Sequence, residues 1–209
     1  VTIVWAANPE ARLVDGKLVI PEEGEVEVVL TATLTLGELT DTKEFTVTLK
    51  APTGDEAELF HETFDASNAT ASYDDGTFTG VNGVVWTFVH ARDEEATPID
   101  GKGIMLRHAG GPSSLSATFA NGIGEFSFEY RKAFTGGRPR TYSVDVINND
   151  TTTTYDLDEF GEGTGEQDDI YKFEKEVNLS GSVTIIIYAT GSTSNQQAVF
   201  DNFKWTEKA

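Results

Sequence analysis

Phe126-Ser127-Phe128-Glu129-Tyr130-Arg131 is the stretch that decides the fold. Every second residue is aromatic, and the residues between are polar. An extended backbone sends successive side chains to opposite faces, so this alternation predicts a half-buried strand. Phe126, Phe128 and Tyr130 are expected to face a core, with Ser127, Glu129 and Arg131 on the opposite face. The same period of two runs through Tyr142-Ser143-Val144-Asp145-Val146 and Val183-Thr184-Ile185-Ile186-Ile187-Tyr188. Towards the start of the chain it governs Val26 to Leu36 and Glu44 to Leu49. These runs are rich in Val, Ile, Thr and Phe and are bounded by Gly, Asn, Asp and Pro, as strands are. No segment sustains a 3.6-residue period with helix caps. The expected class is all-β, sheet packed on sheet.

Composition narrows the function. The 209 residues carry 35 acids against 15 bases, a formal charge of −20, which would repel a phosphate backbone over most of the surface. Nucleic acid and anionic membrane are therefore not expected partners. Hydrophobic residues make up 38%, enough for a core. The absence of cysteine excludes disulfides, thiolate metal sites and a Cys nucleophile. No stretch approaches the roughly 20 apolar residues of a membrane-spanning helix. The opening Val-Thr-Ile-Val-Trp reads as mid-strand, so the chain is expected to be a monomeric piece of a larger multidomain protein.

Ala51-Pro52-Thr53-Gly54-Asp55-Glu56 has no alternation and carries turn residues. The expected organisation is a small unit over 1–51, a linker over 52–58 and a larger unit over 59–209. In the first unit, Trp5, Asn8-Pro9-Glu10, Asp15-Gly16-Lys17, Pro21, Gly24 and Val28 to Thr33 together resemble the atrophied bacterial Ig-like domain of secreted multidomain proteins. That resemblance implies a spacer, a truncated Ig-like β-sandwich, with one initial strand of the family missing. Trp5 and Trp205 read as structural residues.

The larger unit opens with Leu59-Phe60-His61-Glu62-Thr63-Phe64-Asp65 and closes with Ala198-Val199-Phe200-Asp201-Asn202-Phe203-Lys204-Trp205. This layout resembles jelly-roll carbohydrate-binding modules attached to secreted bacterial polysaccharide-degrading enzymes. The resemblance implies a secreted or cell-surface location and a structural calcium joining the first and last strands, with Glu62 and Asp201 as its carboxylates. Hard cations take oxygen ligands, and backbone carbonyls near Thr77 to Gly80 could complete the shell. Solvated or Lys-paired acids are the other reading of the two. The tract from Asp150 to Glu176, with ten acids and two lysines, reads as a solvated loop.

Residues 86–140 hold seven bases and six acids, the one stretch that is not strongly acidic. Parity places Met105 and Arg107 opposite Ile104 and Leu106, Tyr188 opposite Ile187, and Ser143 and Asp145 opposite Val144. If these strands share one sheet, one outer face combines Arg107, Glu129, Arg131, Asp145 and Tyr188. An aromatic ring covers the apolar face of a sugar, and charged groups bond its hydroxyls or carboxylates. Arg92, expected in a loop, could reach the same ligand. Trp86 ends a run that is apolar on both parities, which suits either a core residue or a ligand platform. The arginines point to a polysaccharide, acidic rather than neutral; cross-strand pairing with Glu129 and Asp145 is the other use for them. His61, His90 and His108 have no metal-type spacing, and neither a nucleophile elbow nor a phosphate loop is present. The expected function is a non-catalytic carbohydrate-binding module. A structural spacer that positions a neighbouring domain, and a polysaccharide lyase, are the alternatives.

Overall fold

The alternating runs are strands in the computed structural model of the protein, which describes residues 2–14, 16–21, 24–50, 58–94, 98–107, 113–191 and 196–208. The chain divides into two compact units at Glu56 and Ala57. The expected linker lies outside the described residues, apart from Glu58.

The first unit has strands β1 (Thr2–Asn8), β2 (Leu13–Val14), β3 (Lys17–Leu18), β4 (Glu25–Leu36) and β5 (Leu39–Lys50). β4 and β5 pair along their whole length from Leu36↔Leu39 to Glu25↔Lys50. The turn between them needs a left-handed residue, and Gly37 supplies it at φ 62°. β1 adds to the other edge of β4, giving the order β1-β4-β5, and β2-β3 is a separate hairpin. Val28 and Ala32 are buried, whereas Trp5 is 48% exposed with its ring 5.9 Å from Phe45. Trp5, read as structural, sits on β1 at the edge of a three-stranded sheet.

The second unit has strands β6 (Leu59–Glu62), β7 (Asp74–Thr79), β8 (Val85–Glu94), β9 (Gly103–Leu106), β10 (Ser114–Phe119), β11 (Ile123–Lys132), β12 (Tyr142–Asn148), β13 (Thr151–Asp156), β14 (Ile170–Leu179), β15 (Val183–Ala189) and β16 (Ala198–Thr206). Hydrogen bonding runs β13-β12-β15-β10-β8-β9-β16-β11-β14, with β7 on β8 and β6 on β16. This is a jelly-roll sandwich made by curling one sheet into two layers, with β8 common to both. Residues 86–89 of β8 pair with β10, and residues 91–94 pair with β9. Between them His90 adopts φ 49°, and its N–H donates to Asp75 Oδ1 at 2.8 Å. A left-handed residue inside a strand bends it, so His90 is where the strand turns from one layer to the other.

Both inner faces meet in one core. Phe126, Phe128 and Tyr130 of β11 pack with Val144 and Val146 of β12 and with Val183, Ile185 and Ile187 of β15, as their alternation predicts. Phe200 and Phe203 are both fully buried although three residues apart. The register between β11 and β16 shifts here, and Asn202 takes φ 51°. The extra residue of that bulge restores inward parity for Phe203. β6 closes the layer antiparallel to β16, with Leu59 opposite Thr206. At the other end Arg140 is fully buried and donates to the carbonyls of Ala133, Gly136, Arg138, Gly161 and Gln197. The loop reading of the acidic tract is corrected in part. Thr151–Asp156 and Ile170–Leu179 are strands, because Tyr155, Tyr171, Phe173 and Val177 of these segments pack against the core.

Candidate ligand-binding site

Layer membership separates the expected site residues. Asp145 and Tyr188 lie on β12 and β15, in the β8-β10-β15-β12 layer; Glu129 and Arg131 lie on β11, in the β9-β16-β11 layer. Each projects away from the common core, so the two groups occupy opposite outer surfaces. The single face combining Arg107, Glu129, Arg131, Asp145 and Tyr188 is therefore corrected to two faces. Trp86 belongs to neither. It is 1% exposed, with its ring centroid 5.0 Å from Phe64 and 4.9 Å from Phe203. Of its two readings, core residue or ligand platform, the core reading holds and the ligand reading is corrected.

The first face spans six strands. Thr77, Thr87, Ser116, Ile186, Asp145 and Thr154 stand in one row across β7-β8-β10-β15-β12-β13. The next row holds Val89, Ser114, Tyr188, Ser143 and Asp156. Thr87, Ser114, Ser116, Ile186, Asp145 and Tyr188 are half-buried. Asp145 Oδ1 accepts from Thr154 Oγ1 at 2.6 Å and from the Tyr188 hydroxyl at 3.2 Å. Ser143 Oγ donates to Asp156 Oδ1 at 2.6 Å. Burial first, and the Asp145 carboxylate second, raise the Tyr188 phenol above its ordinary value, so it stays a donor at neutral pH. The result is a shallow surface of hydroxyls and two carboxylates around one aromatic ring.

The second face starts from another row. Arg92, Met105, Val199 and Arg131 are register partners across β8-β9-β16-β11, all opposite the core. Arg92 is thus a strand residue, which corrects its expected place in a loop. Met105 and Val199 form a small second cluster with Ala133, covered by Tyr73 and Ile99. Loops therefore fold over the middle of this face and leave its arginines around the cover. The Arg107 guanidinium carbon is 5.2 Å from the Tyr73 ring centroid, and Nη1 lies 3.0 Å from His90 Nε2. The Arg92 guanidinium carbon lies 5.5 Å from the Tyr73 ring and 5.5 Å from the Phe134 ring. Phe134 is 40% exposed and holds φ 59°. A bulky side chain in that region is strained, and such residues concentrate at functional sites. The sequence held one trace of it, since Ala133-Phe134-Thr135 follows a strand without a turn residue. Glu129 accepts from Asn202 Nδ2 at 2.8 Å and pairs with Asp201 across strands.

The expected calcium carboxylates do not converge. Glu62 pairs with Phe203 and shares its inward face. Its two oxygens accept from the backbone N–H groups of Phe64 at 3.0 Å and Val81 at 2.8 Å. Asp201 pairs with Glu129 on the opposite face and accepts from the N–H groups of Asn202 at 2.7 Å and Asp100 at 3.1 Å. It is fully buried, and its carboxyl is pushed up to about 7, by burial first and by the Asp65 and Asp100 charges as well. Among the described residues no three His, Asp or Glu side chains gather as a metal cage. Glu62 thus anchors the chain at Phe64 and Val81 through their backbone N–H groups.

Residues 1–52 match the family model of the atrophied bacterial Ig domain. No curated protein matches the chain in sequence. Among solved structures, the CBM22-1 xylan-binding domain from Paenibacillus barcinonensis Xyn10C is 14% identical with a TM-score of 0.43, covering 73% of this chain and 96% of that one. The CBM36-1 domain of a multidomain xylanase from the hindgut metagenome of Trinervitermes trinervoides is 13% identical with a TM-score of 0.40, covering 73% and 99%. TmCBM61, solved with β-1,4-galactotriose, is 11% identical with a TM-score of 0.41, covering 60% and 90%.

Proposed function

We propose that the second unit is a non-catalytic polysaccharide-binding module of a secreted or cell-surface bacterial protein, with the Tyr188–Asp145 face as its platform. The hydroxyls set around Tyr188, with Thr87, Ser114 and Ser116 half-buried and Thr77 and Thr154 exposed at the margins, carry this reading. A sugar chain presents hydroxyls that exchange donors and acceptors with such a surface, and an aromatic ring covers the apolar side of a sugar unit. One aromatic contact contributes about 0.5–1.5 kcal/mol, and a few hydrogen bonds about 1 kcal/mol each. The expected affinity is on the order of millimolar to tens of micromolar. Tethering to a larger protein makes that strength useful by raising the effective concentration.

Preference for acidic polymers is a second part of the proposal and belongs to the opposite face, where Arg92 and Arg107 stand beside Tyr73. Affinity electrophoresis of the folded protein against neutral and acidic polysaccharides tests both parts. Tyr188→Ala is expected to cut retention on the preferred polymer by ~3–10-fold, and Arg107→Ala to cut retention on acidic polymers alone. Absence of retention on every polymer, with an unchanged far-UV spectrum, would favour the spacer reading. Release of unsaturated oligosaccharides would favour the lyase.

Calcium is a separate proposal, centred on Asp201. A divalent ion beside this buried carboxylate would offset its burial and the nearby charges of Asp65 and Asp100. Equal melting temperatures in EDTA and in excess calcium would remove it.

A further inference from the structure

A cleft of about 240 Å³ lies beside the end of β11, lined by Pro98, Arg131, Lys132, Phe134, Glu166, Gln167 and Asp168. At roughly 30 Å³ per water molecule, that is space for about eight waters. Arg131 is its fixed point. The side chain is 9% exposed, and Nη1 donates to the Pro98 carbonyl at 2.8 Å while Nη2 donates to the Gln167 carbonyl at 2.8 Å. Two backbone acceptors therefore set the plane of the guanidinium. Its Nε is buried with no hydrogen-bond partner among the described residues. Its charge is met by Asp168 Oδ1 at 3.1 Å from Nη2, on a side chain that is itself wholly exposed.

An enclosed guanidinium paired with a carboxylate in open water is a weakly held pair, because the exposed partner is screened and mobile. A planar carboxylate that enters the cleft can replace it and engage the guanidinium with both oxygens. Phe134 supplies the other element of the cleft, a half-exposed ring held at φ 59°. Such strain is retained where the surroundings require one orientation. Lys132 adds buried positive charge behind the cleft: it is 2% exposed, and its Nζ donates to the Gly163 carbonyl at 2.5 Å.

We propose that this cleft is a carboxylate subsite, which takes the uronate group of an acidic saccharide on Arg131 in place of Asp168 while Phe134 covers the sugar ring. The inference rests on the polysaccharide-binding reading and deepens it: it names the charged group and the residue that receives it. It also gives Asp168 a role as a tethered competitor that lowers affinity for anionic ligands.

The test uses the full chain, with a galacturonic acid tetramer and neutral cellotetraose and xylotetraose as probes. Calorimetry gives the affinities, and the Arg131 Nε–H resonance reports the cleft directly. The uronate tetramer is expected to shift that resonance and the neutral tetramers to leave it unmoved. Asp168→Asn is expected to tighten uronate binding about 2–5-fold with neutral binding unchanged, the range of an exposed ion pair. Phe134→Ala is expected to weaken it with the protein still folded. An unmoved resonance, or an Asp168→Asn variant that binds uronate no better than the parent, overturns the subsite. If a neutral tetramer still binds and Tyr188→Ala abolishes that binding, the general reading survives such a failure. If no tetramer binds the folded protein, both fall.

Discussion

Asp201 shows what one buried side chain can do to the whole stability curve. A carboxyl pushed up to about 7 in the folded protein titrates near 3.9 when unfolded. Between those values the folded state binds more protons than the unfolded state. Stability therefore falls as pH rises through that window, by at most ~1.4 kcal/mol per pH unit, and levels off above it. Melting temperatures measured in EDTA are expected to drop from pH 5 to pH 7.5, and Asp201→Asn is expected to flatten the slope. Bound calcium would flatten it too, because the ion would take over the role of the proton. A slope equal in the parent and Asp201→Asn would assign the pH effect to other groups. Gly80 makes a second residue-scale case. A Cβ there would stand 1.8 Å from Glu62 Oε2 and 3.0 Å from Trp86 Cδ1. Glu62 cannot swing aside without releasing the N–H groups of Phe64 and Val81. Gly80→Ala is expected to lower stability by about 1–3 kcal/mol, readable in a urea titration. A loss below a few tenths would mean that the carboxylate is free to move.

At the scale of elements, the end of the sandwich depends on Arg140. Its guanidinium ties the 133–138 segment to Gly161 and to Gln197, five carbonyls in all. Removing a buried donor leaves those acceptors unsatisfied, at about 1–3 kcal/mol each where water cannot enter. Arg140→Lys keeps charge but loses the planar fork, so it is expected to destabilise the unit by several kcal/mol and to raise amide exchange in both loops. Retained stability would show that the loops hold themselves. Elements were also where sequence reading succeeded and stopped. Period-two runs such as 126–131 and 183–188 revealed strands and inward residues, because alternation is a local property. Thr151-Thr152-Thr153-Thr154-Tyr155-Asp156 hid its strand, since only Tyr155 reaches the core. The bulge at Asn202 gave no local sign, although it decides that Phe203 and Asp201 face opposite ways. Which layer a strand joins depends on partners far away in sequence, as in Arg131↔Val199 and Leu59↔Thr206. Alternation predicted that Asp145 and Arg131 both point outwards, but not that the outsides differ.

At the scale of the whole second unit, the two surfaces divide the chemistry: hydroxyls and carboxylates around Tyr188 on one side, arginines around Tyr73 and Phe134 on the other. The sequence contrast of a less acidic middle stretch was thus real but incomplete, because of the five residues expected on one face Asp145 and Tyr188 lie on one surface and Arg107, Glu129 and Arg131 on the other. The pairing of Leu59 with Thr206 has a mechanical consequence. The polypeptide enters and leaves this unit on adjacent strands, at the same end. A pull through those two points would act across the β6–β16 ladder and open it one hydrogen bond at a time, like a zip, instead of loading all rungs in parallel. Optical tweezers attached at residues 59 and 206 should therefore record gradual yielding under low load. A single abrupt rupture at high load would show that the fold resists traction by some other route.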